Sequence, residues 1–133
     1  MAKAQRKGKQ GEREFNSIIN TLLGKISVRR KECGLPRLNI NSVSAVHDND
    51  ADIQSIPGLA IEVKRQETLA INTWWNQTVR QADNLGAIPV LAYRQNRSKW
   101  KILLPAYLLG IGIRGYLVCE LDTFEDWLYG YLD

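Results

Sequence analysis

The chain has 133 residues, of which 44% are apolar and 24% are charged, a composition typical of a folded, soluble protein and unlike that of a disordered one. At this length we expect one domain, spanning residues 1–133, with a single core. Its longest apolar run is too short to cross a bilayer and its charged amino terminus has no apolar segment, so the sequence predicts neither a membrane partner nor a secretory signal.

The net charge of +4 conceals an uneven distribution of charge along the chain. Residues 1–114 contain all 18 Lys and Arg against 9 acids, whereas residues 115–133 contain 5 acids and no base. A basic body favours a polyanionic partner, because contacts to phosphate release counterions. A basic protein without such a partner remains the alternative. Cys33 and Cys119 are isolated in sequence, which predicts reduced thiols and a cytoplasmic location.

The first quarter of the chain predicts a basic arm followed by a helix. Residues 1–10 are nearly devoid of apolar side chains, and we expect a flexible arm there. Residues 11–23 place apolar side chains at the i, i+3, i+4 and i+7 spacing of a helix face, and Gly24 is expected to end this helix. Short strands are then predicted over residues 26–30 and 42–46.

Residues 51–65 predict a hairpin that carries opposite charges on one face. Alternation puts Ile61 and Val63 on one side of the second strand, and Glu62 and Lys64 on the other. A turn at residues 57–58 would pair this strand with residues 51–56. Asp52 then lies opposite Glu62 or one residue offset from it, and the pattern leaves both registers open.

The remaining sequence predicts an α/β protein with a mixed central sheet flanked by helices. A helix is expected over residues 72–85, with Asn72 or Thr73 as its cap and Gly86 as its end. Residues 88–93 predict a strand covered on both faces and residues 99–104 a returning strand. Residues 105–133 predict a small C-terminal appendage with a strand over 116–121 and a helix opened by a capping box from Asp122. The lack of bases beyond residue 114 favours a subunit contact over a DNA contact.

Three carboxylates and one ammonium form a candidate metal-dependent site. Glu12, Asp52 and Glu62 offer hard oxygen ligands without a supporting cluster of His or Cys, which favours Mg²⁺ over zinc. A metal held by Asp52 and Glu62 would suit phosphodiester hydrolysis, with Lys64 orienting the attacking water or offsetting developing charge. The alternative is that Glu62 and Lys64 form a solvated pair on an open face.

At these positions the sequence resembles a known family. Asp52 followed by residues 62–64 resembles the metal-binding core of the PD-(D/E)XK nuclease superfamily, with Ala51 where the nominal motif has proline. Residues 7–15, 60–64 and 87–92 resemble motifs of the archaeal-type Holliday junction resolvases. The resemblance implies a restriction-endonuclease-like αβββαβ core, a catalytic role for Glu12, a Mg²⁺ cofactor for which Mn²⁺ can substitute, and a homodimer acting on branched DNA. Proteins of this type are also encoded by phages, and such an origin would place this protein in the cytoplasm of a bacterial or archaeal host cell.

Other polar residues are candidates for assisting the site or binding DNA. A glutamine on the second helix assists related nucleases, so Gln77 or Gln81 is a candidate, with exposed helix formers as the alternative. His47 could contact phosphate or transfer a proton, or could be a surface residue. Trp74 and Trp75 could stack on an unpaired base or pack in the core. The residues assigned to DNA binding are Lys7, Lys9, Arg13, Arg29, Arg30, His47, Arg65, Gln77 and Arg80, and the catalytic set is Glu12, Asp52, Glu62, Lys64 and Gln81.

The leading hypothesis is therefore a Mg²⁺-dependent endodeoxyribonuclease that cleaves four-way junctions. A nuclease for flaps, ends or duplex DNA would use the same catalytic residues and differ in the surface that shapes the DNA. A non-catalytic DNA-binding protein of the same fold is the alternative from another class. The intact set of carboxylates argues against it, because a binder of a polyanion has no need of them.

Overall fold

The computed structural model describes residues 3–38 and 56–133, with side chains from residue 8 onward in the first of these ranges. The elements, in chain order, are α1 (Lys3–Glu32), β1 (Leu59–Arg65), α2 (Ile71–Leu85), β2 (Ile88–Arg94), β3 (Lys101–Pro105), a 3-10 turn (Ala106–Leu108), β4 (Tyr116–Cys119) and α3 (Leu121–Tyr131). Within these ranges, no helix is both long enough and apolar enough to cross a membrane.

The four strands form one mixed sheet in the order β1-β2-β3-β4. β1 and β2 are parallel, with Glu62 beside Leu91 and Lys64 beside Tyr93, whereas β3 and β4 each run antiparallel to their neighbours. The parallel pair is joined through α2, as a crossover connection requires. The α/β class and the mixed sheet predicted from the sequence are confirmed.

The helices cover both faces of the sheet. On one face α1 and α3 enclose the main core, in which Phe15, Ile61 and Phe124 are fully buried. On the other face α2 packs Trp74 and Trp75 against the middle strands. Successive residues of a strand point to opposite faces, so Ile61 joins the main core while Glu62 lies on the α2 face. The alternation predicted for β1 is therefore correct.

Helix α1 is longer than the sequence predicts at both ends. Residues 3–10, expected as a flexible arm, are helical, and residues 26–30, expected as a strand, form the last turns of the same helix. Ile26 continues the apolar stripe one heptad after Ile19, and both are fully buried. Gly24 lies on the exposed side, where a glycine costs only about 1 kcal/mol relative to alanine and does not stop a helix. The strand prediction was wrong because five residues are too few to separate the two periods.

The expected end of α2 is confirmed, but the expected caps are not. Gly86 adopts the left-handed conformation that ends the helix. The helix begins after Ala70, and no side chain from Asn72 or Thr73 caps it. Helix α3 begins one residue before Asp122, and its N-cap residue Glu120 makes no side-chain capping bond, so the predicted capping box is absent there.

The turn before β1 has the predicted form. Gly58 takes a positive φ of 79°, and the amide of Leu59 donates to the carbonyl of Ile56 at 3.1 Å. A side-chain carbon at Gly58 would overlap the hydroxyl of Tyr131 from α3. The predicted strand over 42–46, and all but the last residue of the strand over 51–56, lie outside the described residues.

Residues 105–133, expected as a small appendage, pack into the same core. β4 extends the sheet beyond β3. Phe124 and Leu128 of α3 are fully buried in the main core. The acids of α3 meet the basic end of α1, where Arg29 Nη1 lies 3.0 Å from Asp126 Oδ1. Opposite charges on the two helices therefore accompany apolar packing.

Candidate active site

Glu62 and Lys64 lie near the carboxyl end of β1, on the face that α2 covers. Glu62 is 4% exposed and Lys64 is half-buried. Two residues before Glu62 on the same face of β1, Ala60 packs against Ala82 of α2. These small side chains let the helix approach the strand closely. Burying a carboxylate costs free energy unless donors, a cation or a metal compensate its charge. The site is therefore not the solvated ion pair that an open sheet face would produce.

Helix α1 brings Glu12 to the same end of β1. Gly11 is buried against the strand, and a side-chain carbon built on it would lie 2.7 Å from Cβ of Arg65. Arg65 follows Lys64 directly, so the helix touches the strand immediately beyond the candidate lysine. Glu12 is partly buried beside this contact. The structure therefore brings Glu12 to the strand end that carries Glu62 and Lys64.

A residue that the sequence analysis did not single out, Glu14, fixes this contact. Its Oε1 accepts hydrogen bonds from Arg94 Nη1 and from Trp100 Nε1, the latter at 3.1 Å, while Arg65 Nε lies 3.6 Å from its Oε2. The available sequence signal was its position at the edge of the predicted apolar face, three residues after Gly11. No local pattern identifies its partners, which lie more than 50 residues further along the chain.

Gln77 and Gln81 lie on α2 at different heights above β1. Trp74 meets Tyr93, which is paired with Lys64, and Ala82 meets Ala60, so α2 runs antiparallel to the strand. One helical turn advances about 5.4 Å, close to two strand residues, which puts Gln77 near the level of Glu62. Gln81 lies one turn further from the lysine, beside the start of β1. Its Oε1 is buried and accepts no hydrogen bond from the described residues.

The adjacent tryptophans of α2 both serve the core. Trp74 and Trp75 are 5% and 7% exposed, with ring centroids 6.1 Å from Tyr93 and 5.6 Å from Tyr116. Both rings pack with Leu91 of β2 and Leu103 of β3 in one buried cluster. Of the two roles considered for Trp74 and Trp75, packing in the core therefore applies to both rings. Neither ring has an exposed face on which a DNA base could stack.

The family model described as "Phage putative PDDEXK endonuclease" matches residues 3–111, which include α1, β1, α2 and β2 and all three residues Glu12, Glu62 and Lys64. The chain belongs to this PDDEXK family. No curated protein matches the sequence. Among solved structures, Archaeoglobus fulgidus Hjc, a Holliday junction resolvase from an archaeal hyperthermophile, is similar at 19% identity with a TM-score of 0.48, over 90% of this chain and 96% of that chain.

As a member of this family the chain is a nuclease of the PD-(D/E)XK type, and such nucleases generally use divalent metal ions. Within residues 3–38 and 56–133, no group of three or more His, Cys, Asp or Glu side chains lies close enough to hold a metal ion. Asp52, the predicted third ligand, lies outside these ranges, so its position stays a prediction. Glu12 and Glu62 supply oxygen donors only, a donor set that fits Mg²⁺ rather than a softer metal.

The residues predicted to bind DNA in this PDDEXK chain differ in how accessible their side chains are. Lys9, Arg13 and Arg80 are exposed and available to phosphate. Arg65 is half-buried at Glu14, and its Nη2 donates to Asn96 at 3.3 Å. Lys7 lies in α1 without a described side chain, Gln77 is partly buried on α2, and His47 lies outside the described residues.

Arg29 and Arg30, also predicted to bind DNA, are engaged by the protein itself. Arg30 is 7% exposed, and its guanidinium donates to the carbonyl of Pro36 at 3.0 Å and to Asp133 at 3.2 Å. Arg29 pairs with Asp126 and lies 4.0 Å from the ring centroid of Tyr129. The prediction assumed a strand here, but the helix turns both cations toward α3. Arg30 is the least accessible of the predicted DNA contacts whose side chains are described, and Arg29 is held by its ion pair although its side chain is 39% exposed.

Proposed function

We propose that the chain is a Mg²⁺-dependent endodeoxyribonuclease that hydrolyses phosphodiester bonds at the carboxyl end of β1. The observation that carries this proposal is the burial of Glu62 beside half-buried Lys64 at the strand end that α1 reaches with Glu12. A solvated strand pair would leave the carboxylate in water. In a PDDEXK chain, this arrangement suits metal-dependent hydrolysis.

The role of each residue follows from its charge and place. Glu62, Glu12 and Asp52 would hold the cation, which when bound stabilises negative charge at the scissile phosphate and acidifies a water molecule. The Lys64 ammonium projects from the same face as Glu62 and can hold the attacking water or offset charge on the phosphate. The amide of Gln77 or Gln81 can orient that water from α2.

Branched DNA, in particular a four-way junction, is the proposed substrate, and a homodimer acting in the cytoplasm of a bacterial or archaeal host is the proposed form. The sequence motifs that resemble junction resolvases support this substrate, and the exposed side chains of Lys9, Arg13 and Arg80 support contact with DNA phosphates. Two sites in a dimer would make paired nicks in opposing strands. A nuclease for flaps or duplex would share the catalytic residues and differ in the surface that shapes the DNA, and the cleavage pattern would distinguish it.

The decisive experiment compares labelled four-way junction, flap, single-stranded and duplex DNA with Mg²⁺, with Mn²⁺ and with EDTA. Glu62→Gln and Asp52→Asn should abolish cleavage, because each removes a proposed metal ligand. Binding of DNA should stay unchanged or become stronger, because each substitution also removes a negative charge that faces a polyanion. Glu32→Gln, an exposed acid at the far end of α1, is the matched control and should cleave like the wild type.

Each outcome of this experiment has a defined meaning. Metal-dependent paired nicks confined to the junction would support the resolvase. Cleavage of flaps or duplex instead would keep the active site and remove the junction assignment. Binding of DNA without cleavage of any substrate would refute the nuclease and leave a DNA-binding protein of the same fold.

A further inference from the structure

We infer that Glu14 is a positioning residue that holds the amino-terminal half of α1 against the carboxyl ends of β1 and β2, and thereby sets the position of Glu12. The inference rests on the proposed nuclease function for its catalytic consequence. Its structural part stands on the contacts of Glu14 alone. Glu14 lies within residues 7–15, which resemble the resolvase helix motif, but no role is assigned to this carboxylate there or in the preceding sections.

The three partners of Glu14 come from three separate points at one end of the sheet. Arg65 ends β1, Arg94 ends β2, and Trp100 immediately precedes β3. Both guanidiniums and the indole N–H converge on one carboxylate whose side chain is 27% exposed. Hydrogen bonds between ionised groups are roughly twice as strong as those between neutral ones. One side chain of α1 therefore ties together three segments that are distant in sequence.

The neighbouring contacts reinforce the same attachment. Phe15 is fully buried with its ring centroid 4.9 Å from that of Trp100, so adjacent residues of α1 hold the indole by its face and by its N–H. Gly11, one turn earlier, rests on Cβ of Arg65. The helix is thus fixed to the strand ends at Gly11, Glu14 and Phe15, on both sides of Glu12 in the sequence.

Helix geometry separates the roles of the two glutamates. At about 100° per residue, Glu12 and Glu14 point about 160° apart around α1, on opposite flanks of the buried stripe through Gly11 and Phe15. The two carboxylates therefore lie on different sides of the helix, and Glu14 is not a further ligand of the site proposed for Glu12. It acts through the helix, by fixing the rotation and height of α1 over the end of β1, and thereby the position from which Glu12 would act in the proposed site.

The test combines a structural and a catalytic readout on Glu14→Gln, which keeps the shape of the side chain and an acceptor for Trp100 but removes the charge. Amide hydrogen exchange should accelerate about tenfold or more over residues 8–15 and stay unchanged over residues 25–30, which ion pairs join to α3 and the carboxyl terminus. Glu14→Asp, which keeps the charge, should recover part of the protection. Glu32→Gln should leave exchange over residues 8–15 as in the wild type.

The catalytic readout separates positioning from simple loss of folded protein. Glu14→Gln should lower kcat about ten- to a hundredfold at unchanged KM for DNA and raise the Mg²⁺ concentration for half-maximal rate, because a displaced Glu12 holds the cation less well. Unchanged exchange over residues 8–15, or unchanged kcat and Mg²⁺ dependence in a variant whose exchange has accelerated, would overturn the inference. If the wild type cleaves no substrate, the proposed function fails, whereas the exchange measurement still decides whether Glu14 holds the helix.

Discussion

Replacing Gly11 by alanine tests the closeness of α1 to β1 in the most direct way. The added carbon would lie 2.7 Å from Cβ of Arg65, whereas carbon atoms in contact normally lie about 3.5–4.0 Å apart. The opposing Cβ is fixed to the strand backbone and cannot rotate away. The helix must therefore move by about 1 Å, and inserting a carbon into a packed contact costs about 1–3 kcal/mol.

A second glycine of the same helix provides the matched control. Gly24 is exposed, and a carbon built on it meets no atom within 4 Å. Gly24→Ala should therefore stabilise the protein by about 0.5–1 kcal/mol, the gain in helix propensity alone. Gly11→Ala receives the same gain and carries the steric cost in addition. The free energies of unfolding of the two variants should thus differ by about 1–3 kcal/mol.

Urea unfolding followed by circular dichroism measures this difference. At about 4 °C per kcal/mol for a chain of this length, the midpoint of thermal unfolding should lie about 4–12 °C lower for Gly11→Ala than for Gly24→Ala. Cleavage by Gly11→Ala should also fall, because the displaced turn carries Glu12. Equal stabilisation by the two substitutions would show that α1 does not rest on β1 at Gly11, and the reasoning would be wrong.

Two further predictions concern the carboxyl-terminal part of the chain. Tyr131→Phe removes the hydroxyl that donates to the carbonyl of Pro57 at 2.6 Å, and the free energy of unfolding should fall by about 0.5–1.5 kcal/mol; an unchanged urea midpoint would contradict this. The hydrogen bond and positive charge of Lys101 lower the pKa of Glu120 from its ordinary value of 4.5, so this pair stabilises the fold above that pH and the stabilisation disappears as pH falls through the lowered pKa. Glu120→Gln should therefore unfold at lower urea than the wild type at pH 7 in low salt, and the two midpoints should converge in acid; a gap that persists in acid would contradict the assignment.

Local sequence was sufficient for the parts of the site that depend on period and on single turns. Strict alternation over β1 placed Glu62 and Lys64 on one face, because a strand reverses the direction of each successive side chain. The glycine at Gly86 marked the end of α2, because few other residues adopt the left-handed conformation. Gly58 marked the turn before β1 for the same reason.

The tertiary structure decided the features that depend on partners distant in sequence. Residues 26–30 continue α1 because Ile26 is buried in the shared core, and the helix then turns Arg29 and Arg30 toward the acids of α3. No pattern within five residues contains that information. The position of Asp52 lies outside the described residues and stays a prediction.

The anchoring of α1 shows the same division most clearly. Sequence alone determined that a helix carries Glu12 and that a strand carries Glu62 and Lys64. Only the fold showed that Glu14 joins the helix to Arg94 across 80 residues and that Gly11 lets α1 pack directly against Arg65. Periodicity is a property of neighbouring residues, whereas the convergence of charges at one end of a sheet arises only when strands distant in the chain are placed side by side.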